Sequence, residues 1–92
     1  MEFEWDERKA AQNAVKHGVP FEYATRVFLD LRRLDIEDAR RDYGEARRLT
    51  LGVIESRLFA VAYTWRGEVI RMISARKASP RERRQYDETL SA

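Results

Sequence analysis

The chain contains no cysteine, only one histidine and no long apolar run. Without cysteine it can form neither disulfides nor thiolate metal sites, and a single histidine cannot build a multi-histidine site. Its apolar segments are far shorter than the roughly 20 residues that cross a membrane, and the acidic start MEFEWDE is unlike a signal peptide. We therefore predict no metal, no cofactor, no membrane partner and a cytoplasmic location.

The 92 residues suffice for one domain, residues 1–92, with a modest core. The net charge of +2 conceals a division between the two halves. Residues 1–46 hold eight Lys/Arg and eleven Asp/Glu, a net charge of −3, whereas residues 47–92 hold ten and five, a net charge of +5. This asymmetry indicates a polyanionic partner such as RNA or DNA, although a charged surface that serves only solubility explains it equally well.

The first 30 residues predict a short strand and two helices. Phe3-Glu4-Trp5 alternates apolar and polar, and Asp6 is suited to cap a helix that ends at His17 and Gly18. Pro20 marks the start of a second helix. The expected buried stripes are Ala10, Ala14 and His17, flanked by Ala11 and Val15, and then Phe21, Ala24, Val27 and Phe28.

The rest of the chain predicts strands and a last helix. A brief strand is expected at about residues 33–37, and the acidic loop 35–44 is either a solvated connection or a partner contact. Arg47 to Ile54 alternates clearly, and two apolar runs follow it. Ser79 to Glu82 forms a capping box, with Tyr86 and Leu90 to anchor the helix. The fold class is α+β: two N-terminal helices, an antiparallel sheet of three to four strands and a C-terminal helix.

The two apolar runs predict a hairpin with Arg66-Gly67 as its two-residue turn. Trp65 would then pair with Glu68, Tyr63 with Ile70 and Val61 with Met72, all on one face. The other face would hold Ala60, Ala62 and Thr64 opposite Ile73, Arg71 and Val69, leaving space for an anionic ligand. The next stretch concentrates five cations in nine residues, namely Arg76, Lys77, Arg81, Arg83 and Arg84.

Three segments of the chain read WDERKAAQNAVKHGVPFEYATRVF, EARRLTLG and RMISARKASPRERRQY. They resemble the BrnT toxins, a RelE-like branch of bacterial type II toxin–antitoxin systems. The resemblance implies a RelE-like fold and a small metal-independent ribonuclease that arrests growth by cutting RNA. It also implies a BrnA-like antitoxin, whose ribbon-helix-helix region binds promoter DNA, and a heterotetramer of paired toxins bridged by an antitoxin dimer.

The same resemblance places arginine at Arg47, Arg66 and Arg76, which we predict as catalytic phosphate contacts. Guanidinium groups give fixed, bidentate hydrogen bonds to phosphate oxygens and remain charged. An acid and a base must come from other side chains. The candidates are His17, Tyr63, Tyr86, Glu68 or a lysine, and the predicted RNA-binding residues are Arg71, Lys77, Arg83 and Trp65.

Several of these residues also have a structural interpretation. His17 can stabilise the end of its helix through the helix dipole, and Arg83 can pair with Asp87 along the last helix. Tyr63 stands where the family pattern carries histidine, so it either replaces that acid or base or belongs to the core. Trp65 could stack on a base or lie in the core or an interface. Two further hypotheses therefore remain: a catalytically inactive module that regulates its operon with the antitoxin, and a general RNA-binding domain.

Overall fold

The computed structural model describes residues 1–39 and 42–91. Its elements, in chain order, are β1 (Glu2–Glu4), α1 (Glu7–His17), α2 (Phe21–Ala24) with a 3₁₀ continuation (Thr25–Leu29), β2 (Leu34–Asp38), β3 (Arg47–Ile54), β4 (Arg57–Arg66), β5 (Val69–Lys77) and α3 (Pro80–Ser91). The α+β class, the helix order and the C-terminal helix are confirmed. No helix in the described part of the chain is long and apolar enough to cross a membrane.

The five strands form one mixed sheet in the order β1-β5-β4-β3-β2. The prediction of a purely antiparallel sheet of three to four strands is wrong, because β1 adds a fifth strand that runs parallel to β5. This strand has only three residues and places Phe3 opposite Ile70. Its backbone hydrogen bonds are made with β5, which is distant in the sequence, so no local sequence pattern indicates the pairing.

Helices cover both faces of the sheet. On the N-helix face, Phe21, Ala24 and Val27 pack with Val61 and Tyr63 in the larger core cluster. On the opposite side, here called the C-helix face, Tyr86 of α3 packs with three residues of the sheet, Leu51, Leu58 and Ala60. Because successive side chains of a strand point to opposite faces, each remaining strand residue can be assigned to one face from its neighbours.

The predicted ends of α1 are confirmed. The Asp6 side chain accepts hydrogen bonds from the backbone N–H groups of Arg8 and Lys9 at 2.9 and 3.1 Å. Gly18 ends the helix with a left-handed φ of 71°. The predicted flank is wrong, because Val15 is 90% exposed whereas Asn13 is the buried residue of the helix.

The predicted register of the hairpin is wrong by two residues. The turn is Gly67-Glu68, so that Arg66 lies opposite Val69 and Trp65 lies opposite Ile70. Up to Met72 the predicted faces of the side chains are unchanged, because a shift of two residues matches the side-chain period of a strand. The predicted pairing of Ile73 with Ala60 is wrong, since Ala60 lies opposite Arg76. The strand predicted at about residues 33–37 is confirmed as Leu34–Asp38. The predicted loop 35–44 thus begins within β2, and its residues 40 and 41 lie outside the described part of the chain.

A β-bulge interrupts the pairing of β4 with β5. Tyr63 lies opposite Met72 and Ala62 lies opposite Ser74, so Ile73 is an extra residue in β5. An inserted residue shifts the alternation of the strand by one position. Arg71 and Arg76, five residues apart, would otherwise point to opposite faces. With the bulge, Arg71 lies opposite Thr64 and Arg76 opposite Ala60, both on the C-helix face.

Candidate functional site

Four of the arginines predicted to contact RNA lie on the C-helix face and are here called the arginine cluster. Arg76 pairs with Ala60, which packs beneath α3, and Arg71 pairs with Thr64 on the same face. Two further positions follow by alternation along their strands. The cluster consists of Arg47 on β3, Arg66 on β4, and Arg71 and Arg76 on β5.

Carboxylates hold three members of the cluster in place. Glu45 lies between two of them, with 3.7 Å from its Oε1 to Nε of Arg47 and 3.7 Å from its Oε2 to Nη2 of Arg66. Glu4 of β1 accepts a 2.5 Å hydrogen bond from Nη1 of Arg71. The fifth strand thus supplies a counterion that orients one arginine of the site.

Arg47 carries an unsatisfied donor. Its Nε–H is buried and has no hydrogen-bond partner among the described residues. Its guanidinium carbon lies 3.9 Å from the centre of the Tyr43 ring, a cation–π contact that fixes the plane of the group. A buried donor without a partner costs free energy that an anionic ligand would recover.

Arg76 is held by Glu82 in a bidentate ion pair. Nη1 and Nη2 of Arg76 donate to Oε1 and Oε2 of Glu82 at 2.7 and 2.9 Å. The same carboxylate accepts the Ser79 backbone N–H at 2.8 Å, which confirms the predicted capping box. The hydrogen bond from Arg76, followed by the one from Ser79, outweighs burial and lowers the pKa of Glu82. The helix cap therefore positions the arginine with an ionised carboxylate.

A pocket of about 250 Å³ adjoins this ion pair. It lies between the N-terminal turn of α3 and the end of β2, and Leu49 contributes to its lining. Its polar lining consists of the cations Arg76 and Arg81, the side chains Ser79 and Gln85, and three carboxylates, Glu37, Asp38 and Glu82. The pocket is large enough for one phosphate group, which would lie beside both guanidinium and carboxylate groups.

Tyr63 lies on the N-helix face, away from the arginine cluster. It is 2% exposed, and its hydroxyl donates a hydrogen bond to Asp35. Arg33 and Arg48 donate to the same carboxylate. Burial would raise the pKa of Asp35, but these three hydrogen bonds lower it. Burial and the bond to Asp35 raise the pKa of Tyr63 above its ordinary value, so the hydroxyl keeps its proton.

The remaining predicted site residues are also dispersed. His17 ends α1, which packs on the N-helix face, and Lys77 lies opposite Phe59 on that face. Trp65 is 47% exposed there, with its ring centre 6.2 Å from that of Tyr63. Arg83 lies on the exposed side of α3 and pairs with Asp87 at 3.3 Å. Of the nine predicted site residues, only the four of the arginine cluster share one face of the sheet.

Sequence reasoning did not single out Glu82 and Arg81 as members of the site. The capping box identified Glu82 only as a helix-capping residue. Its position, six residues after Arg76 and at the start of the helix that follows β5, could have indicated the ion pair, because the capping side chain folds back toward the end of the strand. Among residues 1–39 and 42–91, no three His, Asp or Glu side chains are grouped as metal ligands.

Two comparisons with known proteins bear on this site. A search of curated proteins finds no match. A family described as the ribonuclease toxin BrnT of type II toxin–antitoxin systems matches residues 5–82, most of the chain, including all four residues of the arginine cluster. That family implies an antitoxin as partner. The chain therefore belongs to the BrnT family of type II ribonuclease toxins.

Proposed function

We propose that this single BrnT-like domain, with a RelE-like fold, is a metal-independent endoribonuclease that cleaves RNA in the cytoplasm and arrests growth. A BrnA-like antitoxin with a ribbon-helix-helix region neutralises it, and the two form a heterotetramer that reaches promoter DNA through the antitoxin. The observation that carries the ribonuclease proposal is that four arginines lie on one face of the sheet. The family match supports the class of reaction.

The arginine cluster suits the charge that develops during RNA cleavage. Attack of the 2′-hydroxyl on the adjacent phosphorus creates a phosphorane-like transition state with additional negative charge. Fixed guanidinium groups stabilise such charge without rearranging during the reaction. We assign Arg76 to the phosphate that is cleaved, and Arg47, Arg66 and Arg71, which lie toward the other end of the strands, to neighbouring phosphates.

Glu82 is the candidate base. The carboxylate lies beside Arg76, and the hydrogen bond from that guanidinium is the main reason why its pKa is low. A phosphate that takes the place of the carboxylate on Arg76 removes this bond, so the pKa of Glu82 rises toward its ordinary value. The carboxylate then becomes a better acceptor for the proton of the 2′-hydroxyl. The catalytic roles predicted for Tyr63 and His17 stay predictions, and both residues lie on the other face.

The first test compares Arg76→Ala and Arg76→Lys with the wild type. Removing one preorganised donor to a transition-state oxyanion typically slows a reaction about 100-fold or more. We expect both variants to lose growth arrest and RNA cleavage by at least that factor, because lysine keeps the charge but not the bidentate geometry. Arg84→Ala, an exposed change on α3, serves as the control, and circular dichroism establishes that each variant is folded.

Cleavage by wild-type protein should also persist in EDTA. Loss of cleavage in EDTA would contradict metal independence, and full activity of folded Arg76→Ala would contradict the assignment of the site.

A second candidate function is an inactive module that binds the antitoxin and regulates the operon. The observation in its favour is that Tyr63 is buried, at a position where the resemblance described above implies histidine. Folded wild-type protein that leaves RNA intact, with ribosomes present, would establish this second function.

A further inference from the structure

A cavity on the N-helix face is not used by the proposed reaction. Its volume is about 570 Å³, within the range of ligand-binding sites in proteins. The buried side chains of Val19 and Phe59 form its floor and Tyr23 forms a wall, whereas Arg57 and Lys77 border it. The sheet separates this cavity from the arginine cluster, so RNA bound to the cluster does not fill it.

The cavity carries an excess of positive charge. Its one carboxylate, Glu55, accepts hydrogen bonds from the Tyr23 hydroxyl at 3.0 Å and from Nη1 of Arg26 at 3.1 Å. Arg26 thus neutralises Glu55. Among the residues that the structure describes, neither Arg57 nor Lys77 has an ion-pair partner. The cavity is therefore suited to a ligand that brings both an anionic group and an apolar one.

Two smaller depressions continue this cavity along the second helix. The next, of about 260 Å³, shares Glu55 with the first and adds Arg26 and Leu29. The third, of about 310 Å³, shares Arg26 and Leu29 with the second and extends to Met1. Leu29 is 77% exposed and Met1 76% exposed. The three depressions are here called the Leu29 groove.

The composition of this groove favours a protein partner over RNA. Large aliphatic side chains that remain exposed beside polar residues mark protein–protein contact surfaces. Single-stranded RNA is bound by cationic grooves and exposed aromatic platforms. The Leu29 groove has cations at one end, but the side chains that it exposes most at the other end, Leu29 and Met1, are aliphatic. A cavity floored by apolar side chains, with cations at its border, fits an anchoring side chain that is flanked by carboxylates.

We propose that the Leu29 groove binds the antitoxin, through a segment whose carboxylates face Arg57 and Lys77 and whose apolar side chains cover Leu29. This proposal rests on the antitoxin of the proposed function and does not depend on RNA cleavage. It places the antitoxin on the face opposite to the arginine cluster.

The test measures the affinity of the full-length chain for its cognate antitoxin by calorimetry. Leu29→Asp and Arg57→Glu alter the groove, and Leu90→Asp and Arg84→Glu are matched controls on α3, on the other side of the sheet. We expect each groove variant to bind the antitoxin at least tenfold more weakly, and each control to stay within twofold of the wild type. Circular dichroism and thermal unfolding establish that each variant is folded, and RNA cleavage should be unchanged in the groove variants.

Two results would overturn the proposal. Wild-type antitoxin affinity in both folded groove variants would show that the antitoxin binds elsewhere. Reduced binding of RNA together with unchanged antitoxin affinity would assign the groove to the nucleic acid. If the wild-type protein cleaves no RNA, the proposed ribonuclease function is wrong. The comparison of antitoxin affinities still tests whether the Leu29 groove binds the antitoxin.

Discussion

Asp35 organises the polar side chains beneath the N-terminal helices. Three donors meet on its carboxylate, from Arg33, Arg48 and Tyr63, and Arg33 also donates to the Thr50 hydroxyl at 3.0 Å. Each donor is thereby satisfied within a partly buried region, where an unpaired polar group would be costly. Tyr63 thus contributes to the stability of the fold.

We expect Asp35→Asn to destabilise the fold in a way that depends on pH. At pH 7 the variant should lose about 2 kcal/mol of unfolding free energy, because the donors lose a charged acceptor. The folded state lowers the pKa of Asp35 below its ordinary value of 3.8. The stabilisation is therefore complete above that value and is lost as the pH falls below it. Urea unfolding at pH 7, 5, 4 and 3 should show the difference between the two proteins shrinking below about pH 4. A difference that stays constant across this range would contradict the assignment.

At the residue scale, the sequence predicted the face of the sheet on which a side chain lies better than it predicted the contacts of that side chain. Period-two alternation correctly placed Val61 and Tyr63 together, and it separated them from Ala60 and Ala62. It could not indicate that Asp35, 28 positions earlier in the chain, accepts the Tyr63 hydrogen bond. That contact depends on the pairing of β2 with β3, which brings Asp35 opposite Thr50.

Among the secondary-structure elements, α1 protects an open edge of the sheet through Asn13. β1 pairs with β5 only at residues 69–71, so β5 has no neighbouring strand on this edge after residue 71. The Asn13 side chain donates to the Ala75 carbonyl at 2.8 Å and accepts the Ala75 N–H at 3.1 Å. It also donates to the Val19 carbonyl at 3.0 Å. A side-chain amide thus replaces one residue of a neighbouring strand and ties the helix to the sheet.

Asn13→Ala should therefore be strongly destabilising. The change leaves the buried N–H and C=O groups of Ala75 without their partner, at about 1–3 kcal/mol for each unsatisfied group. We expect a loss of roughly 3 kcal/mol, measured by chemical denaturation. The exposed neighbour Gln12→Ala is the control and should change the stability by less than about 0.5 kcal/mol. Similar stabilities for both variants would show that water or a backbone shift satisfies Ala75.

The 3₁₀ segment packs directly on β3 at Gly52. A Cβ atom at Gly52 would lie 2.8 Å from the carbonyl oxygen and 2.9 Å from the Cβ of Val27. Real Cβ atoms do not approach backbone this closely, so alanine must displace the segment. We expect Gly52→Ala to cost about 1–3 kcal/mol of unfolding free energy, as overpacking of a core does. An unfolding free energy equal to that of the wild type would show that the 3₁₀ segment can move aside without loss of stability.

At the element scale, the predictions succeeded where the signal is local. Gly18 ends α1, and Arg47–Ile54 forms β3 with the predicted bounds. They predicted β1, as Phe3-Glu4-Trp5, but missed its parallel pairing with β5, and they placed the hairpin turn one residue too early. The pairing of β1 with β5 joins segments that are far apart in the sequence. The hairpin turn is local but ambiguous, because Arg66-Gly67 and Gly67-Glu68 are equally plausible turns by composition.

At the scale of the whole molecule, the two faces of the sheet carry two different candidate binding surfaces. The C-helix face carries the arginine cluster, and the N-helix face carries the Leu29 groove. The charge asymmetry between the halves of the sequence suggested a basic side. The charge asymmetry could not show which cations lie on which face of the sheet, because Arg76 and Lys77 are adjacent in the sequence and point to opposite faces.

RNA binding by this molecule should depend on salt in proportion to the phosphates that it contacts. For single strands the logarithm of the affinity falls with the logarithm of salt concentration by about 0.7 per neutralised phosphate. We expect Arg71→Gln to reduce this slope by about 0.7 with a 2′-O-methyl oligonucleotide, which the enzyme cannot cleave. Arg84→Gln should leave the slope unchanged. An unaltered slope in Arg71→Gln would remove Arg71 from the RNA-binding surface.

The bulge at Ile73 has a consequence for comparing this chain with its relatives. A relative that is one residue shorter between the two arginines of β5 would keep both of them in an alignment, separated by a gap. With the regular alternation restored, it would present them on opposite sides of the sheet. If the arginine cluster acts on RNA as proposed, chain length between the arginines, and not their presence alone, would distinguish relatives that keep this site from relatives that lose it.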